Sequence, residues 1–267
     1  MRILFIGDIV GSPGRKIVQD RLADLVTQRQ IDLVIANGEN SASGFGITPR
    51  IADEFLRSGI DVVTGGNHSW DRKEILEYMP HQPRLLRPGN FPPGNPGSGV
   101  FVGTAKNGVK YAVVNLQGRI FLPAIEDPFR KADEDLAQLP ADVSFILADM
   151  HAETTSEKIA MGWYLDGRVT AVVGTHTHVT TADEHVLPQG TAYITDVGMT
   201  GPHDGVIGMD RVAIIKRFLD GLPARFEVAG GDVQMNCVVI ETDDAGQRNS
   251  AGRLRASSIE RLRLRAD

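Results

Sequence analysis

The stretch Ile3-Leu4-Phe5-Ile6-Gly7-Asp8 shows the pattern on which the fold of this chain rests. Its four consecutive apolar residues predict a strand that is buried on both faces, because a strand with one face in water would alternate apolar and polar residues. A glycine and a carboxylate follow directly. The same succession of an apolar run and a polar cluster recurs along the chain, which predicts several buried strands that each end in polar groups.

The other apolar runs are residues 33–36, 62–64, 145–148 and 171–173. The clusters that follow them are Gly38-Glu39-Asn40, Gly66-Asn67-His68, Asp149-Met150-His151 and Gly174-Thr175-His176-Thr177-His178. In open α/β sheets, ligands bind beyond the carboxyl ends of the strands, so we expect these clusters to converge and to bring Asp8 close to His178. Carboxylate, imidazole and amide groups in one place favour a metal site.

The size and composition indicate one ordinary α/β domain, which we predict to span residues 1–267. The single cysteine, Cys237, lies in an apolar run, so we expect it in the core of a protein from a reducing compartment. No secretion signal follows Met1, and no stretch approaches the roughly 20 apolar residues of a membrane span. We therefore expect a cytoplasmic protein without a membrane segment.

The net charge of -6 argues against an extended nucleic-acid surface, which would normally be basic. A small substrate fits better. The arginines at alternate positions of residues 261–265 favour an edge strand that keeps its arginines in water, with an RNA contact as the alternative. A homo-oligomer is left open, because domains of this size commonly self-associate.

Helix signals alternate with the predicted strands. Ser12 and Pro13 predict the start of one helix, and Thr48 and Pro49 predict the start of another. Apolar periodicity predicts further helices at about residues 129–139, 156–166 and 209–219. Two late apolar stretches, residues 234–242 and 256–264, predict a closing antiparallel ribbon.

The clusters suggest a particular chemistry. A carboxylate shared between two metal ions offsets their repulsion, and Glu39 is the candidate for this bridge. Water bound to such ions is acidic enough to give hydroxide near neutral pH, so a metal-bridging hydroxide is the expected nucleophile. His68, beside the proposed ligand Asn67, is the expected general acid for the leaving alkoxide. The alternative is a hydrogen-bonded turn histidine.

These clusters, in this order, resemble the motifs of the calcineurin-like metallophosphoesterase superfamily. The matching residues are Gly7-Asp8, Gly38-Glu39, Gly66-Asn67-His68, His151 and, after an inserted Thr175, His176-Thr177-His178. Two positions depart from the pattern: Val10 stands where the superfamily usually has His, and Glu39 where it usually has Asp. Together with residues 65–71 and 199–202, the pattern is similar to the YmdB-like branch over essentially the whole chain.

The resemblance implies a four-layer α/β/β/α sandwich with two mainly mixed sheets. It also implies a phosphodiesterase that acts on cyclic nucleotides, notably 2',3'-cyclic nucleoside monophosphates, with two divalent or mixed-valence metal ions of the iron or manganese type. By the same resemblance, the first metal site would take Asp8, Glu39, Asn40 and His178. The second metal site would take Glu39, Asn67, His151 and His176.

Three other functions stay open. Gly7, Gly11 and Gly14 suggest a nucleotide-binding module, although their spacing is not G-x-G-x-x-G and Asp8 would repel a pyrophosphate. The metal site would also serve a regulatory protein that binds a nucleotide with little turnover. Finally, the same ligands would serve a phosphomonoesterase.

Overall fold

Two six-stranded sheets form the centre of the computed structural model, which describes residues 1–243 and 247–266. Strands and helices are numbered along the chain. The first sheet contains β1 (Arg2–Ile6), β2 (Leu33–Asn37), β3 (Val62–Thr64), β10 (Gly201–Pro202), β11 (Val233–Thr242) and β12 (Ala256–Arg265). The second sheet contains β4 (Val100–Thr104), β5 (Lys110–Gln117), β6 (Phe145–His151), β7 (Ala171–Thr175), β8 (His185–Val186) and β9 (Ala192–Ile194).

Both sheets are mixed, as the family resemblance implied. In the first sheet, β1, β2 and β3 are parallel, whereas β11 runs antiparallel between β1 and β10 and also pairs with β12. In the second sheet, β5, β6, β7 and β9 are parallel, and the outer strands β4 and β8 are antiparallel to them. The parallel strands of each sheet therefore end at one common edge.

The helices are α1 (Gly11–Arg29), α2 (Pro49–Arg57), α3 (Ile75–Tyr78), α4 (Pro128–Gln138), α5 (Thr155–Leu165) and α6 (Arg211–Asp220), with a short 3-10 helix at Met79–His81. The predicted cap of α2 is confirmed, because the Thr48 side chain accepts a hydrogen bond from the Ile51 amide. The prediction for α1 is wrong: this helix begins at Gly11, and Val10 precedes it in an extended conformation. Its first turn is closed by the hydrogen bond from the Gly14 amide to the Val10 carbonyl, so Ser12 already lies inside the helix.

The side chains of β1 show why its sequence is apolar throughout. Ile3 and Phe5 pack between the two sheets, whereas Leu4 and Ile6 pack against α1 and α2 on the other face. The outer face of the second sheet packs in the same way against α4 and α5. One apolar layer thus lies between the two sheets, and one more lies between each sheet and the helices that cover it. The predicted four-layer α/β/β/α sandwich is confirmed.

The late ribbon of β11 and β12 closes the first sheet. Leu262 and Leu264 pack on the core, while Arg261 pairs with Glu184, so the alternation of residues 261–265 is that of an edge strand. Cys237 of β11 is buried, and burial raises the pKa of its thiol to about 12. Among residues 1–243 and 247–266, no helix has the length and apolar character to cross a membrane.

The glycines that suggested a nucleotide-binding module have packing reasons instead. A Cβ on Gly7 would lie 1.8 Å from the carbonyl oxygen of Gly198, and a Cβ on Gly14 would lie 2.3 Å from that of Thr200. Gly11 has a φ of 60°, a conformation that residues with a Cβ rarely adopt. These positions therefore bring backbone segments together, and phosphate binding is not needed to explain them.

We expect Gly14→Ala to lower the free energy of unfolding by about 2 kcal/mol, because the new methyl group would overlap the Thr200 carbonyl. Helix propensity alone would favour alanine by about 1 kcal/mol, so the sign of the change separates the two effects. Urea unfolding followed by circular dichroism measures it. Gly230→Ala is the control, since a Cβ there meets nothing within 4 Å; a Gly14→Ala protein as stable as this control would contradict the packing explanation.

Candidate metal centre

The common edge of the two sheets gathers all the side chains that the sequence predicted as metal ligands. Those that follow β1, β2 and β3 of the first sheet are Asp8, Glu39, Asn40 and Asn67. Those that end or follow β6 and β7 of the second sheet are His151, His176 and His178. The centre is therefore built across the seam between the sheets.

One half of the centre surrounds Nε2 of His151. This atom lies 3.0 Å from Oδ1 of Asn67, 3.1 Å from Oε1 of Glu39 and 3.1 Å from Nδ1 of His176. Glu39 and His151 have fully buried side chains. Atoms of Glu39, His151 and His176 lie close enough together to hold one ion. These residues are the ones assigned to the second metal site by resemblance.

The other half lies around Nε2 of His178. Nδ2 of Asn40 is 3.1 Å from this nitrogen and 3.2 Å from Oε1 of Glu39, and Oδ1 of Asp8 is 4.0 Å from Nε2 of His178. Rotation of the Asn40 amide by half a turn would place its oxygen, a metal ligand, where Nδ2 lies. Val10, which stands where the superfamily usually has His, is buried and packs near Gly201 and Gly208. The valine at this position therefore serves packing.

Two features test whether these residues suit metal ions. Oδ1 of Asp8 is buried, and among the residues that the structure describes it has no hydrogen-bond partner. A buried carboxylate oxygen without a partner is costly unless a cation neutralises it. In addition, a Cβ on Gly66 would lie 2.3 Å from Nε2 of His151 and 2.4 Å from Oε2 of Glu39, so only glycine leaves this space open. Both observations fit a metal centre.

Each histidine ring has a polar partner on the side away from the centre. Nδ1 of His151 lies 2.9 Å from Oγ1 of Thr175, which in turn donates to Asp149 at 2.7 Å. Nδ1 of His178 donates to the carbonyl of Ile207 at 2.9 Å. Nε2 of His176 lies 2.9 Å from Glu153. In each ring the other nitrogen therefore faces the centre, which is the usual arrangement of histidine ligands.

The turn that carries His176 and His178 is left-handed at both residues, with φ values of 102° and 67°. The extended geometry that would place both rings on one side of a strand therefore ends at Thr175, and the turn itself aims the rings. Between them, the amide and hydroxyl of Thr177 donate to Asp196 at 3.0 and 2.7 Å. Asp196 is buried and forms an ion pair of 2.6 Å with Lys158, which anchors the turn.

Glu39 and His151 shift each other's pKa. Burial by itself would raise the pKa of Glu39, but the charge and hydrogen bond of His151 outweigh it and lower this pKa to about 2. Burial would lower the pKa of His151, but the Glu39 carboxylate raises it to about 9. At His176, burial and the charge of His151 lower the pKa to about 3. Glu39 thus favours a positive charge beside it. The imidazole of His176, in contrast, is neutral near pH 7.

His68 lies at the edge of the centre. Its amide donates to Oε2 of Glu39 at 3.0 Å, and its Nδ1 lies 2.8 Å from the carboxylate of Asp71. Its ring packs edge-on against Phe45, with 5.2 Å between ring centres. Because a carboxylate only accepts hydrogen bonds, Nδ1 carries a proton and Nε2 is the nitrogen left for exchange with a substrate.

A cavity of about 390 Å³ opens onto the centre. Polar residues, among them Glu39, His68, His176 and His178, line this cavity together with several apolar ones. A cavity of this size is large enough for a small organic ligand. A small molecule bound in this cavity would therefore contact both His68 and the candidate metal ligands.

Several residues that support the centre were not predicted from the sequence as functional. Asp149 and Thr175 lie inside the motifs, so their positions were a usable signal. Glu153 and Asp196 carry no motif, and Ile207 contributes through its backbone carbonyl, which no side-chain pattern reveals.

Comparison with known proteins places the chain among well-defined relatives. A family model described as YmdB-like protein matches residues 4–254. The 2',3'-cyclic-nucleotide 2'-phosphodiesterase of Bacillus subtilis (strain 168) is 53% identical over 267 residues, which cover 100% of this chain and 98% of that protein. A crystal structure of a hypothetical protein from Thermus thermophilus has a TM-score of 0.91 at 39% identity and covers 100% of both chains. A novel phosphatase of Mycoplasma pneumoniae has a TM-score of 0.90 at 35% identity, covering 100% of this chain and 94% of that chain.

We expect Mn²⁺ to raise the melting temperature of the chelator-treated protein, because only the folded state brings the ligands together. At a concentration of 100 times Kd, the gain corresponds to about 2.7 kcal/mol. Glu39→Gln should lose most of this gain. Glu134→Gln, which changes an exposed carboxylate on α4, is the control and should keep it. Equal gains in the two variants, or none in the wild type, would argue against the centre.

We expect Thr175→Val to weaken Mn²⁺ binding about 10- to 100-fold, since it removes the hydroxyl that links His151 to Asp149. Thr175→Ser should restore the affinity, because it keeps the hydroxyl. Equilibrium dialysis measures the bound metal, and Thr104→Val on the edge strand β4 is the control. If Thr175→Val bound Mn²⁺ as tightly as the wild type, the link would have no role in holding His151.

Proposed function

This chain belongs to the YmdB-like protein family, and we propose that it is a metal-dependent phosphodiesterase that hydrolyses 2',3'-cyclic nucleoside monophosphates. The observation that carries the proposal is the set of three ligand atoms within 3.1 Å of Nε2 of His151, beside a cavity of about 390 Å³. The name of the Bacillus subtilis relative supports the choice of a diester substrate. The ligands support metal-dependent chemistry on a phosphate ester, and the relative supports the choice of a cyclic nucleotide.

We assign two metal ions to the centre, of the iron or manganese type. Asp8, Glu39, Asn40 and His178 would hold the first, and Glu39, Asn67, His151 and His176 would hold the second. Bound ions of this kind supply an activated water as nucleophile and neutralise charge on the phosphate. Asp8 and Glu39 are the only anionic ligands in these sets, so the centre keeps a net attraction for an anionic phosphodiester.

His68 would act on the leaving group. Asp71 holds Nδ1 of His68 at 2.8 Å, and the cavity reaches the ring, so Nε2 is oriented to donate a proton to the leaving ribose oxygen. The amide of His68 donates to Glu39, which ties the position of this acid to that of the carboxylate that both metal sites would share. Proton donation matters here because an alkoxide is a poor leaving group.

Two alternatives use the same residues. A phosphomonoesterase would need the same centre, and a regulatory nucleotide-binding protein would need it without rapid turnover. His68 separates these functions, because a binding protein has no leaving group to protonate. The diesterase is favoured by the relative described as a 2',3'-cyclic-nucleotide 2'-phosphodiesterase.

The cytoplasmic location, the single domain over residues 1–267 and self-association stay predictions. The single domain is supported by the apolar layer that both sheets share. For self-association, the side chains of Val212, Phe218 and Leu219 on α6 are 70%, 84% and 83% exposed, and they are the apolar surface that a second copy would cover.

We expect His68→Ala to lower kcat on 2',3'-cyclic AMP by about 10²- to 10⁴-fold while the metal content stays at the wild-type level. The loss on bis(4-nitrophenyl) phosphate should be much smaller, because nitrophenolate leaves without a proton. Steady-state kinetics and metal analysis of the same preparations measure both quantities. His81→Ala, at an exposed histidine, is the control.

The outcomes separate the proposals. Equal losses on the two diesters would mean that His68 is not the acid. A metal-loaded wild type that hydrolyses neither diester would favour the regulatory protein, and one that prefers 4-nitrophenyl phosphate would favour the phosphomonoesterase. In addition, Glu39→Gln should lose both metal and activity, since it removes the shared carboxylate.

A further inference from the structure

The cavity has an apolar wall beside the candidate metal ligands. The side chains of this wall are those of Phe45, Ile207, Met209, Ile214 and Phe226. They come from two distant parts of the chain, the loop after β2 and the segment from residue 207 to residue 226. A phosphate held by the metal ligands would leave the rest of its ester in contact with this apolar surface.

The apolar wall is already assembled by backbone and side-chain packing. Met209 pairs with Val206 and Val228 in short antiparallel bridges, and the amide of Asp210 donates to the carbonyl of Glu227 at 2.8 Å. A Cβ on Gly44 would lie 2.4 Å from the end of the Met209 side chain, so the two parts of the chain are in close contact. A wall that exists before a ligand arrives costs little ordering entropy on binding.

The two aromatic rings of this wall are also held in place. Phe45 packs edge-on against His68, with ring centres 5.2 Å apart. The guanidinium of Arg217 lies 5.2 Å from the ring centre of Phe226. Aromatic rings that are fixed at a cavity wall provide faces on which a flat ring can stack.

We propose that this wall is a stacking subsite for the nucleobase of the substrate, and that it does not discriminate strongly between bases. The inference rests on the proposed function, since it assigns a place to the part of the nucleotide that does not react. The five side chains of the wall offer no hydrogen-bonding group for the edge of a base. The polar residues Glu153 and Thr177 also line the cavity, but they already contact His176 and Asp196. Stacking uses the ring faces that all four bases share, so recognition depends on ring area and not on base identity.

This chemistry sets the expected specificity. Apolar pockets distinguish similar ligands by about 10- to 200-fold, whereas a site that forms hydrogen bonds to its ligand can reject others by about 10⁴-fold or more. We therefore expect kcat/KM values for the four 2',3'-cyclic nucleotides to lie within about 100-fold of one another. The purine nucleotides should have the higher kcat/KM values, because their bases stack over a larger area.

The test compares 2',3'-cyclic AMP with methyl riboside 2',3'-cyclic phosphate, which has the same reacting diester but no base. Phe226→Ala in the metal-loaded protein should raise KM for the nucleotide about tenfold, and that for the base-free diester far less. The loss should appear in KM rather than in kcat, since the base does not react. Phe226→Trp should keep the low KM. Phe121→Ala is the matched control, because Phe121 is 86% exposed and does not line the cavity.

Three results would overturn the subsite. These are equal KM values of the wild type for the two diesters, equal effects of Phe226→Ala on both, and a preference of about 10⁴-fold or more for one base. In each of these cases the enzyme still hydrolyses at least one 2',3'-cyclic phosphate diester, so the proposed function stands. A metal-loaded wild type that hydrolyses neither substrate would overturn both proposals.

Discussion

The contact between Glu39 and His151 is the interaction on which the centre depends. Oε1 of Glu39 lies 3.1 Å from Nε2 of His151, and both side chains are fully buried. Glu39 follows β2 of the first sheet and His151 ends β6 of the second, so this contact joins the sheets at the edge where their parallel strands end. Two buried charges are stable only when each offsets the other's desolvation or when a cation is shared between several ligands. The packing of the two sheets therefore fixes the chemistry, because a shift of one sheet would leave an unpaired carboxylate in the core.

The partners around the centre explain why the histidines present free nitrogens to it. The outer nitrogen of His151 contacts Thr175, which donates to Asp149. The outer nitrogen of His178 donates to the carbonyl of Ile207, and that of His176 contacts Glu153. Holding the rings requires uncommon backbone conformations, since His176, His178 and Ile207 all have positive φ values. A β-branched residue such as Ile207 rarely adopts this conformation, and strain of this kind is typical of functional sites.

The cavity is lined by two kinds of side chain with different proposed roles. The candidate metal ligands and His68 would contact the reacting phosphate, and the apolar wall around Phe45 and Phe226 would contact the part of the substrate that does not react. Ile207 belongs to both, because it lines the apolar wall and its carbonyl accepts a hydrogen bond from His178. The short segment around Ile207 would thus both contact the substrate and orient a candidate metal ligand.

The strands, the polar clusters after them and the set of candidate ligand side chains that the structure brings together could all be predicted from the sequence. This was possible because a strand buried on both faces needs a continuous apolar run, and because parallel strands deliver whatever follows them to one edge. Local signals were also sufficient for the cap of α2, but they placed the start of α1 too late. The packed fold was needed to show which atoms hold the rings, that Asp196 and Lys158 anchor the turn at Thr177, and which residues form the apolar wall. These features depend on backbone carbonyls, on left-handed residues and on contacts between distant segments. None of these produces a periodic pattern of apolar and polar residues from which it could be predicted.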